Sequence, residues 1–415
     1  MRKTFILAAF VALSLASCQK DVTIPRESLT QRKDLVLTKA QADFIQSNNS
    51  FALNLFQQVV KAEDGKSLLI SPLSVTIDFG MVCNGAVGNT QKEIFETLGY
   101  KDGSVEDLNA FCQTMMEQSA TVDPSTTLEI ANAAVVNSLY PGLKDSFTNT
   151  VKQAYDAKII YKNFAQEDIK KLINDWCNEK THGMIPELLS QPVKSQEYAH
   201  FLNAVYFKGI WTNKFKKQDT KPAPFTLENG SKKEVQMMHQ SKVFGYGNLD
   251  NLCTAVRLPY GNRAYRMTLL LPAEGKTLAQ LVESLDTGTW DKLQRMGDRV
   301  VDVKIPTFET EYSVELKEVL EGLGIRQAFD SDNADFTAMS SNPDLYVGKV
   351  LQKAKIKVDE EGSEAAAVTD IAMDNCAGPS DTPQIAEFHA DRPFLYIISE
   401  ISSGAIYFIG QYTGI

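Results

Sequence analysis

Residues 359–370 read DEEGSEAAAVTD, and this stretch decides how the rest of the chain is interpreted. Small side chains crowd it without the caps of a helix. In an extended segment alternate residues share a face, and one such face is small and then apolar: Ser363, Ala365, Ala367, Thr369, Ile371 and Met373. From residue 363 onward the other face carries every charge: Glu364, Ala366, Val368, Asp370, Ala372 and Asp374. This alternation is typical of a strand with one buried side.

The flanks of this stretch are typical of an exposed loop. Beyond Asp370 the chain is rich in glycine, proline and polar residues until Phe388. A structureless loop of more than about 15 residues is uncommon in a compact domain unless it is functional, and this one would have roughly 20 to 25. The sequence therefore predicts a strand-forming segment carried by a long functional loop.

Helices are predicted mainly in the first half of the chain. An i, i+4 apolar recurrence indicates a buried helix face around Phe51, Leu55 and Val59. Thr90 and Glu93 stand three apart, which predicts a capping box and a helix that begins at Thr90. An amphipathic apolar pattern at residues 169–176 predicts a further helix, and this helix should end near Gly183.

Strands are predicted in the middle and at the end of the chain. Nearly continuous apolar runs, typical of strands covered on both faces, occur at residues 201–207, 265–271, 394–398 and 405–409. The last two runs should form a buried hairpin. No linker divides the helical part from the strand part, so we expect one large α+β domain.

Several longer motifs, in order along residues 45–415, resemble the serpin family. They are EEGSEAAAVT at residues 360–369, SPLS at 71–74, GAVGNT at 85–90, NAVYFKGIW at 203–211 and RPFL at 392–395. The resemblance implies a single large serpin-like domain of class α+β, with helices over three β-sheets and an exposed reactive-centre loop at about residues 360–388.

The resemblance also implies a function. A serpin of the inhibitory type is a suicide substrate: a protease cleaves the loop, forms an acyl-enzyme, and is trapped as the loop inserts into the main sheet. The hinge of that loop would be Glu360, Gly362, Ser363, Glu364, Ala365, Ala366, Ala367 and Thr369. Its small residues favour an inhibitor over a non-inhibitory serpin that acts as a surface binding protein. We expect an inhibitor, not an enzyme.

By the same resemblance, four further residues belong to the sheet that opens. Ser71, Ser74 and Asn203 match the hydrogen-bonded shutter beneath it, and Trp211 matches the breach where the loop enters. Packing alone is the competing interpretation for all four. At the position where many relatives have a shutter histidine, this chain has Gln352, which puts a pH-sensitive shutter in doubt.

The reactive bond is expected at Cys376-Ala377, by counting forward from the hinge glycine at the family's usual length. Counting back from Pro393 instead places it near Thr382, and a bond between Thr369 and Ala377 is a further alternative. We prefer the first count because Gly378 and Pro379 would interrupt an inserting strand.

The loop composition limits the target protease. Between Lys357 and Arg392 there is no lysine or arginine, which disfavours a trypsin-like protease at any bond of the loop. Small and apolar residues favour elastase-like or subtilisin-like serine proteases, or papain-like cysteine proteases. Asp370 and Asp374 leave an aspartate-specific protease as a minor option.

The N-terminus predicts export. A basic start, an apolar run at residues 5–15 and small residues before Cys18 indicate a signal peptide over residues 1–17. The sequence LASC at residues 15–18 resembles a bacterial lipobox, which would make Cys18 the lipidated first residue, with a flexible tether over 18–37 and the serpin domain over 38–415. We expect a protein of the cell envelope, periplasmic or at the cell surface and held by lipid alone, or a secreted one.

Other partners and chemistries are disfavoured. The net charge of −10 argues against nucleic acid, and residues 102–143 contain no lysine or arginine, so no heparin site is predicted there. Neither the four histidines nor the cysteines have metal-ligand spacing, and four cysteines should be small buried residues. We expect a monomer without cofactor or metal. A glycan- or nutrient-binding lipoprotein and a hydrolase with a hidden triad are the alternatives from other classes.

Overall fold

The computed structural model describes residues 32–63, 65–100, 103–249, 251–363 and 385–415. These residues form one α+β domain, as predicted, and most of its helix lies in the first half of the chain. The helices are α1 (Lys39–Ala62), α2 (Pro72–Cys83), α3 (Gly88–Leu98), α4 (Val105–Ser119), α5 (Asp145–Tyr155), α6 (Ile169–Lys180), α7 (Leu278–Glu283), α8 (Thr287–Gln294) and α9 (Lys317–Leu323).

Strands alternate with the first helices and dominate the second half. They are β1 (Leu68–Ile70), β2 (Thr126–Asn137), β3 (Lys158–Lys162), β4 (Ala199–Ile210), β5 (Lys221–Thr226), β6 (Lys232–Leu249), β7 (Cys253–Pro259), β8 (Tyr265–Pro272), β9 (Asp298–Pro306), β10 (Phe308–Glu315), β11 (Leu351–Val358), β12 (Gly362–Ser363), β13 (Ala386–His389), β14 (Phe394–Glu400) and β15 (Ile406–Tyr412). The predicted strands are confirmed as β4 and β8, and the predicted C-terminal hairpin as the antiparallel pair β14 and β15.

These strands form three sheets in the described ranges. The largest has the order β1-β15-β14-β8-β7-β6-β9-β13, with β5 paired to β6. A four-stranded sheet has the order β12-β4-β2-β3, and β10 and β11 form a two-stranded sheet. Three sheets with helices packed over them are the arrangement that the family resemblance implies.

A slot separates the two smaller sheets, between β4 and β11. β4 pairs with β2 along its length and with β12 only at its last two residues, while β11 pairs with β10 on one side. In the part of the chain that the structure describes, no strand occupies the rest of the two facing edges. Two open edges are a template for one more strand.

The predicted start of α3 is wrong. The helix begins at Gly88, and its N-cap Val87 provides no side-chain hydrogen bond. The Thr90 hydroxyl instead accepts a hydrogen bond from the backbone N–H of Asp335, and the Glu93 carboxylate accepts one from that of Gln327. Tertiary contacts thus use the two side chains that the capping box would need.

The last residues of the predicted tether lie against the domain. Leu35 is buried, and its backbone N–H donates to the Ser402 hydroxyl at 3.0 Å. The N–H and carbonyl of Val36 both bond to the side-chain amide of Gln118. Thr38 then caps α1 with a capping box. Contacts with the domain are therefore already present at Leu35 and Val36, just before the predicted domain start at residue 38.

The cysteines of the described residues are structural. Cys83, Cys112, Cys177 and Cys253 are free and buried, as predicted, and burial raises the pKa of each thiol to about 12. Among the described helices, none combines the length and apolar character needed to cross a bilayer.

Candidate functional site: the hinge seat and the shutter

The first residues of the predicted hinge are paired with the end of β4. Gly362 and Ser363 form β12, antiparallel to Ile210 and Gly209. Ser363 is 1% exposed, and its hydroxyl oxygen lies 2.9 Å from that of Tyr260. Two residues of the hinge therefore already occupy the top of the slot.

Only glycine fits at position 362. Its φ is +148°, a conformation that other residues rarely adopt. A Cβ atom at this position would lie 2.1 Å from the backbone oxygen of Gly209. The close approach of the hinge to β4 therefore depends on the absence of a side chain here.

Trp211 closes the top of the slot from the side of β4. Its ring stacks on Tyr260 with centroids 4.4 Å apart and planes 10° from parallel. The indole N–H donates to the backbone oxygen of Asp359 at 2.9 Å, and the backbone N–H donates to that of Glu361 at 2.8 Å. The side chain and the backbone of Trp211 thus both donate hydrogen bonds to the turn that precedes Gly362.

Side-chain contacts hold the two glutamates that precede Gly362. Glu361 forms an ion pair with Lys214, with Nζ and Oε2 2.7 Å apart and both side chains about one-fifth exposed. The hydroxyl of Thr220 donates to Glu360 Oε1 at 2.7 Å. We call Trp211, Lys214, Thr220 and Tyr260 the hinge seat. Of these, the sequence indicated only Trp211.

The predicted shutter residues meet at the N-terminus of α2. Ser71 is the N-cap: its hydroxyl accepts from the backbone N–H of Ser74 and donates to the backbone oxygen of Tyr407 at 2.9 Å. Pro72 follows at the first helical position, where the lost N–H has no partner within the helix anyway. The sequence SPLS thus folds into a helix start that points at the slot.

This helix start is bonded to both edges of the slot. On β11, the amide of Gln352 forms two hydrogen bonds with the backbone of Ser71, at 3.0 and 2.9 Å. On β4, Asn203 Oδ1 accepts from the Ser74 hydroxyl, and Asn203 Nδ2 donates to Asn132 at 2.7 Å. We call Ser71, Ser74, Asn203 and Gln352 the shutter cluster. An amide does not titrate, so Gln352 gives this cluster no pH dependence of its own.

A second side-chain bridge lies at the far end of the loop, on β13. Asp302 of β9 stands between His239 of β6 and His389 of β13, with nitrogen–oxygen distances of 2.6 and 2.7 Å. Burial alone would raise the pKa of Asp302, but the hydrogen bonds from both imidazoles hold that pKa below its usual range. Three strands are joined through one carboxylate.

Replacing Asp302 with asparagine should weaken the attachment of β13. Hydrogen bonds to a charged group contribute about 1–3 kcal/mol, and partial exposure places this bridge near the lower value. A lowered carboxyl pKa stabilises the fold above about pH 4, and this contribution is lost as the pH falls through the folded-state pKa. Urea unfolding should therefore show a deficit for D302N at pH 7 that closes below pH 4. The change of the exposed Asp344 to asparagine should show no such trend, and a D302N deficit that stays constant with pH would contradict the assignment.

The other predicted site residues lie outside the described residues: Glu364, Ala365, Ala366, Ala367, Thr369, Cys376, Ala377 and Cys18. Within the described ranges there is no group of three histidine, cysteine, aspartate or glutamate side chains that could hold a metal ion. The site is thus a set of hydrogen-bonded contacts around a slot.

Comparisons with known proteins cover nearly the whole chain. The family description "Serpin (serine protease inhibitor)" matches residues 46–415. Human leukocyte elastase inhibitor is 34% identical over 379 residues, covering 88% of this chain and 98% of that protein. Iripin-1 of Ixodes ricinus is 34% identical over 372 residues, covering 88% and 93%.

Solved structures agree with this fold. Tengpin, a thermophilic serpin in its native state, has 28% identity and a TM-score of 0.82, covering 92% of this chain and 96% of tengpin. Human thyroxine-binding globulin, complexed with its hormone, has 25% identity and a TM-score of 0.81, covering 90% and 98%.

Proposed function

Because the chain belongs to the serpin family, we propose that it inhibits a protease as a suicide substrate, by inserting its cleaved loop between β4 and β11. The observation that supports this proposal is β12, since Gly362 and Ser363 are paired with the last residues of β4, where an inserted strand would begin. The rest of the slot has open edges in the described chain and a hydrogen-bonded closure at the shutter cluster.

The pairing of β12 with β4 fixes the expected register of insertion. Ser363 lies opposite Gly209, so continuing the strand places Ala365 opposite Phe207 and Thr369 opposite Asn203. Phe207 is buried in the main core, so a position opposite it must be small. The small face found in the sequence is then the face that turns inward.

The hydrogen bonds of the turn before β12 give the same register independently, this time along β11. Asp359 and Gly362 exchange backbone hydrogen bonds of 2.9 and 3.3 Å. Continuing that pairing along β11 places Thr369 opposite Gln352. Both edges thus bring Thr369 to the shutter cluster. Glu364, on the outward face, would lie between Lys208 and Lys357, which complement its charge.

The length of the slot supports the preferred reactive bond. β4 begins at Ala199, which in this register lies opposite Met373, where the two-faced pattern of the loop ends. Cys376 would follow three residues beyond the end of the strand. At about 3.3 Å per residue, insertion would place Cys376 roughly 40 Å along the slot from Ser363.

The chemistry follows from cleavage at Cys376-Ala377. The protease nucleophile attacks the carbonyl carbon of Cys376, the peptide C–N bond breaks, and the amine of Ala377 leaves with a proton. The protease remains joined to Cys376 as an ester or thioester. About ten new ladder hydrogen bonds at roughly 1 kcal/mol each give on the order of 10 kcal/mol. This is comparable to the stability of a whole domain, so it could hold a distorted acyl-enzyme.

We propose an elastase-like serine protease as the target class, with subtilisin-like and papain-like proteases as the alternatives. The support is the small and apolar loop without lysine or arginine, together with relatives named leukocyte elastase inhibitor. A non-inhibitory serpin that binds a ligand remains the second candidate, because thyroxine-binding globulin shares the fold.

Incubation of the protein with elastase-like, papain-like and trypsin-like proteases tests the proposal. We expect a complex that resists denaturing gels with one of the first two, and a released peptide that begins at Ala377 by mass spectrometry. Trypsin should give no such complex. If every protease cuts the loop and none is retained, the inhibitory function is wrong and the binding role becomes the better account.

We also propose that Cys18 carries a lipid and that the protein lies in the cell envelope. The support is the lipobox-like sequence at residues 15–18. Mass spectrometry of the mature N-terminus from its native host, compared with a Cys18→Ser variant, tests this proposal. An unmodified terminus would indicate secretion without an anchor.

A further inference from the structure

Asp78 is the single charged residue of α2, and it faces the slot that the proposed strand would fill. It stands one turn after Ser74 and lines a cavity of about 30 Å³ together with Asn203 of β4, Gln352 of β11 and Cys177 of α6. A cavity of this volume holds about one water molecule. It lies in the interior of the slot, below the two positions that β12 occupies.

The two helices that meet at this cavity lie on opposite faces of β4. Leu202 and Ala204 pack in the same cluster as Cys177 of α6, whereas the alternate residue Asn203 is bonded to α2 through Ser74. Asp78 of α2 shares a cavity with Cys177. Its carboxyl group is therefore placed between β4 and β11, in the path of an inserting strand.

The carboxyl group has no compensating partner. Asp78 Oδ1 is buried and forms no hydrogen bond. The titratable groups around the cavity are the neutral thiol of Cys177 and Lys353 of β11, and the ammonium of Lys353 is paired with Glu311 at 2.8 Å. Burial raises the pKa of Asp78 well above the usual value. The pKa of the Cys177 thiol is also raised, mainly by burial and to a smaller extent by the charge of Asp78.

We infer that Asp78 makes the stability of the slot and the insertion of a strand into it depend on a proton. In the neutral form the carboxyl group can remain in the closed slot and can be covered by an inserted strand. In the ionised form, covering it removes the remaining water from an unpaired charge, which is strongly unfavourable. The part of this inference that concerns insertion rests on the proposed function, and the part that concerns the uncleaved protein does not.

The direction of the pH effect follows from the raised pKa. An acid whose pKa is higher in the folded state stabilises that state least when it is ionised. The contribution of Asp78 to the stability of the uncleaved protein should be greatest below the ordinary carboxyl pKa of about 4, and should fall as the pH rises toward the folded-state pKa of Asp78. The loop-inserted form should lose more, because the strand excludes the water that the cavity admits.

Thermal unfolding of the full-length protein between pH 5 and 8 tests this inference. Between the unfolded-state and folded-state pKa values of Asp78, the unfolding midpoint of wild type should fall relative to that of D78N by about 1–2 °C per pH unit. The exposed Asp344→Asn change should follow wild type. If D78N folds poorly, D78A removes the same carboxyl group and leaves space. Parallel wild-type and variant curves at every pH would overturn the inference.

The same scan on loop-cleaved protein separates this inference from the proposed function. We expect a higher midpoint after cleavage and a steeper pH dependence that D78N removes. If cleavage raises no midpoint, the insertion mechanism fails, while the slope in uncleaved protein still decides the role of Asp78. If cleavage raises the midpoint but the cleaved slope equals that of D78N, insertion is not coupled to a proton.

Discussion

Ala365→Glu is expected to abolish the stable protease complex and to turn the protein into an ordinary substrate. In the inserted strand that we propose, continuing the register of β12 would turn residue 365 inward between Phe207 and Ile356, both buried. An unpaired carboxylate buried there costs several kcal/mol, which is a large part of the energy that insertion supplies. The measurement is the number of inhibitor molecules consumed per protease inactivated, together with the fraction of complex on a denaturing gel.

The matched control is the same substitution at the next residue. In the same proposed strand, residue 366 would point to the opposite face, next to Tyr206 of β4 and Lys355 of β11; the Lys355 side chain is partly exposed. Complex formation should survive there with a modest loss. If A365E inhibits as well as A366E, the assignment of the inward face is wrong. If both fail equally, the segment does not insert as a regular strand.

Trp211→Ala should lower the free energy of unfolding by about 3–5 kcal/mol, the usual cost of removing a buried aromatic side chain. The indole is 2% exposed, stacks on Tyr260 and donates to the backbone of Asp359. Its loss should also free the turn before Gly362. Chemical denaturation measures the first effect, and hydrogen exchange of residues 359–363 measures the second.

Two variants separate these effects. Trp211→Phe retains an aromatic ring but not the N–H donor, so it should lose a smaller part of the stability. Trp176→Ala removes a buried ring from the separate cluster beneath α6, so it should destabilise the protein without raising exchange at the hinge. Equal hydrogen exchange at residues 359–363 in W211A and W176A would mean that Trp211 does not specifically stabilise the turn before Gly362.

The sequence predicted those features of the fold that are encoded locally. Nearly continuous apolar runs identify β4, β8 and the hairpin of β14 and β15, because burial of a strand on both faces requires them. The predicted start of α3 is wrong because the side chains of Thr90 and Glu93 accept hydrogen bonds from residues more than 230 positions away.

The hinge seat shows why long-range contacts escaped prediction. Lys214 and Glu361 are 147 residues apart, and the sequence around neither residue indicates that the two will pair. Tyr260 meets Ser363 across 103 residues. Asp78 did leave a local signal, since it is a lone carboxylate in the otherwise uncharged helix PLSVTIDFGMVC, but its unpaired state could be recognised only from the slot.

The crystal structure of the loop-cleaved protein tests the central claim most directly. We predict that residues 363–373 form a new strand, antiparallel to both β4 and β11, with Thr369 between Asn203 and Gln352 and with Ala365 facing inward. The two smaller sheets should then be one. A cleaved structure in which β4 and β11 keep their present separation, with the cut ends of the loop outside the slot, would contradict the account.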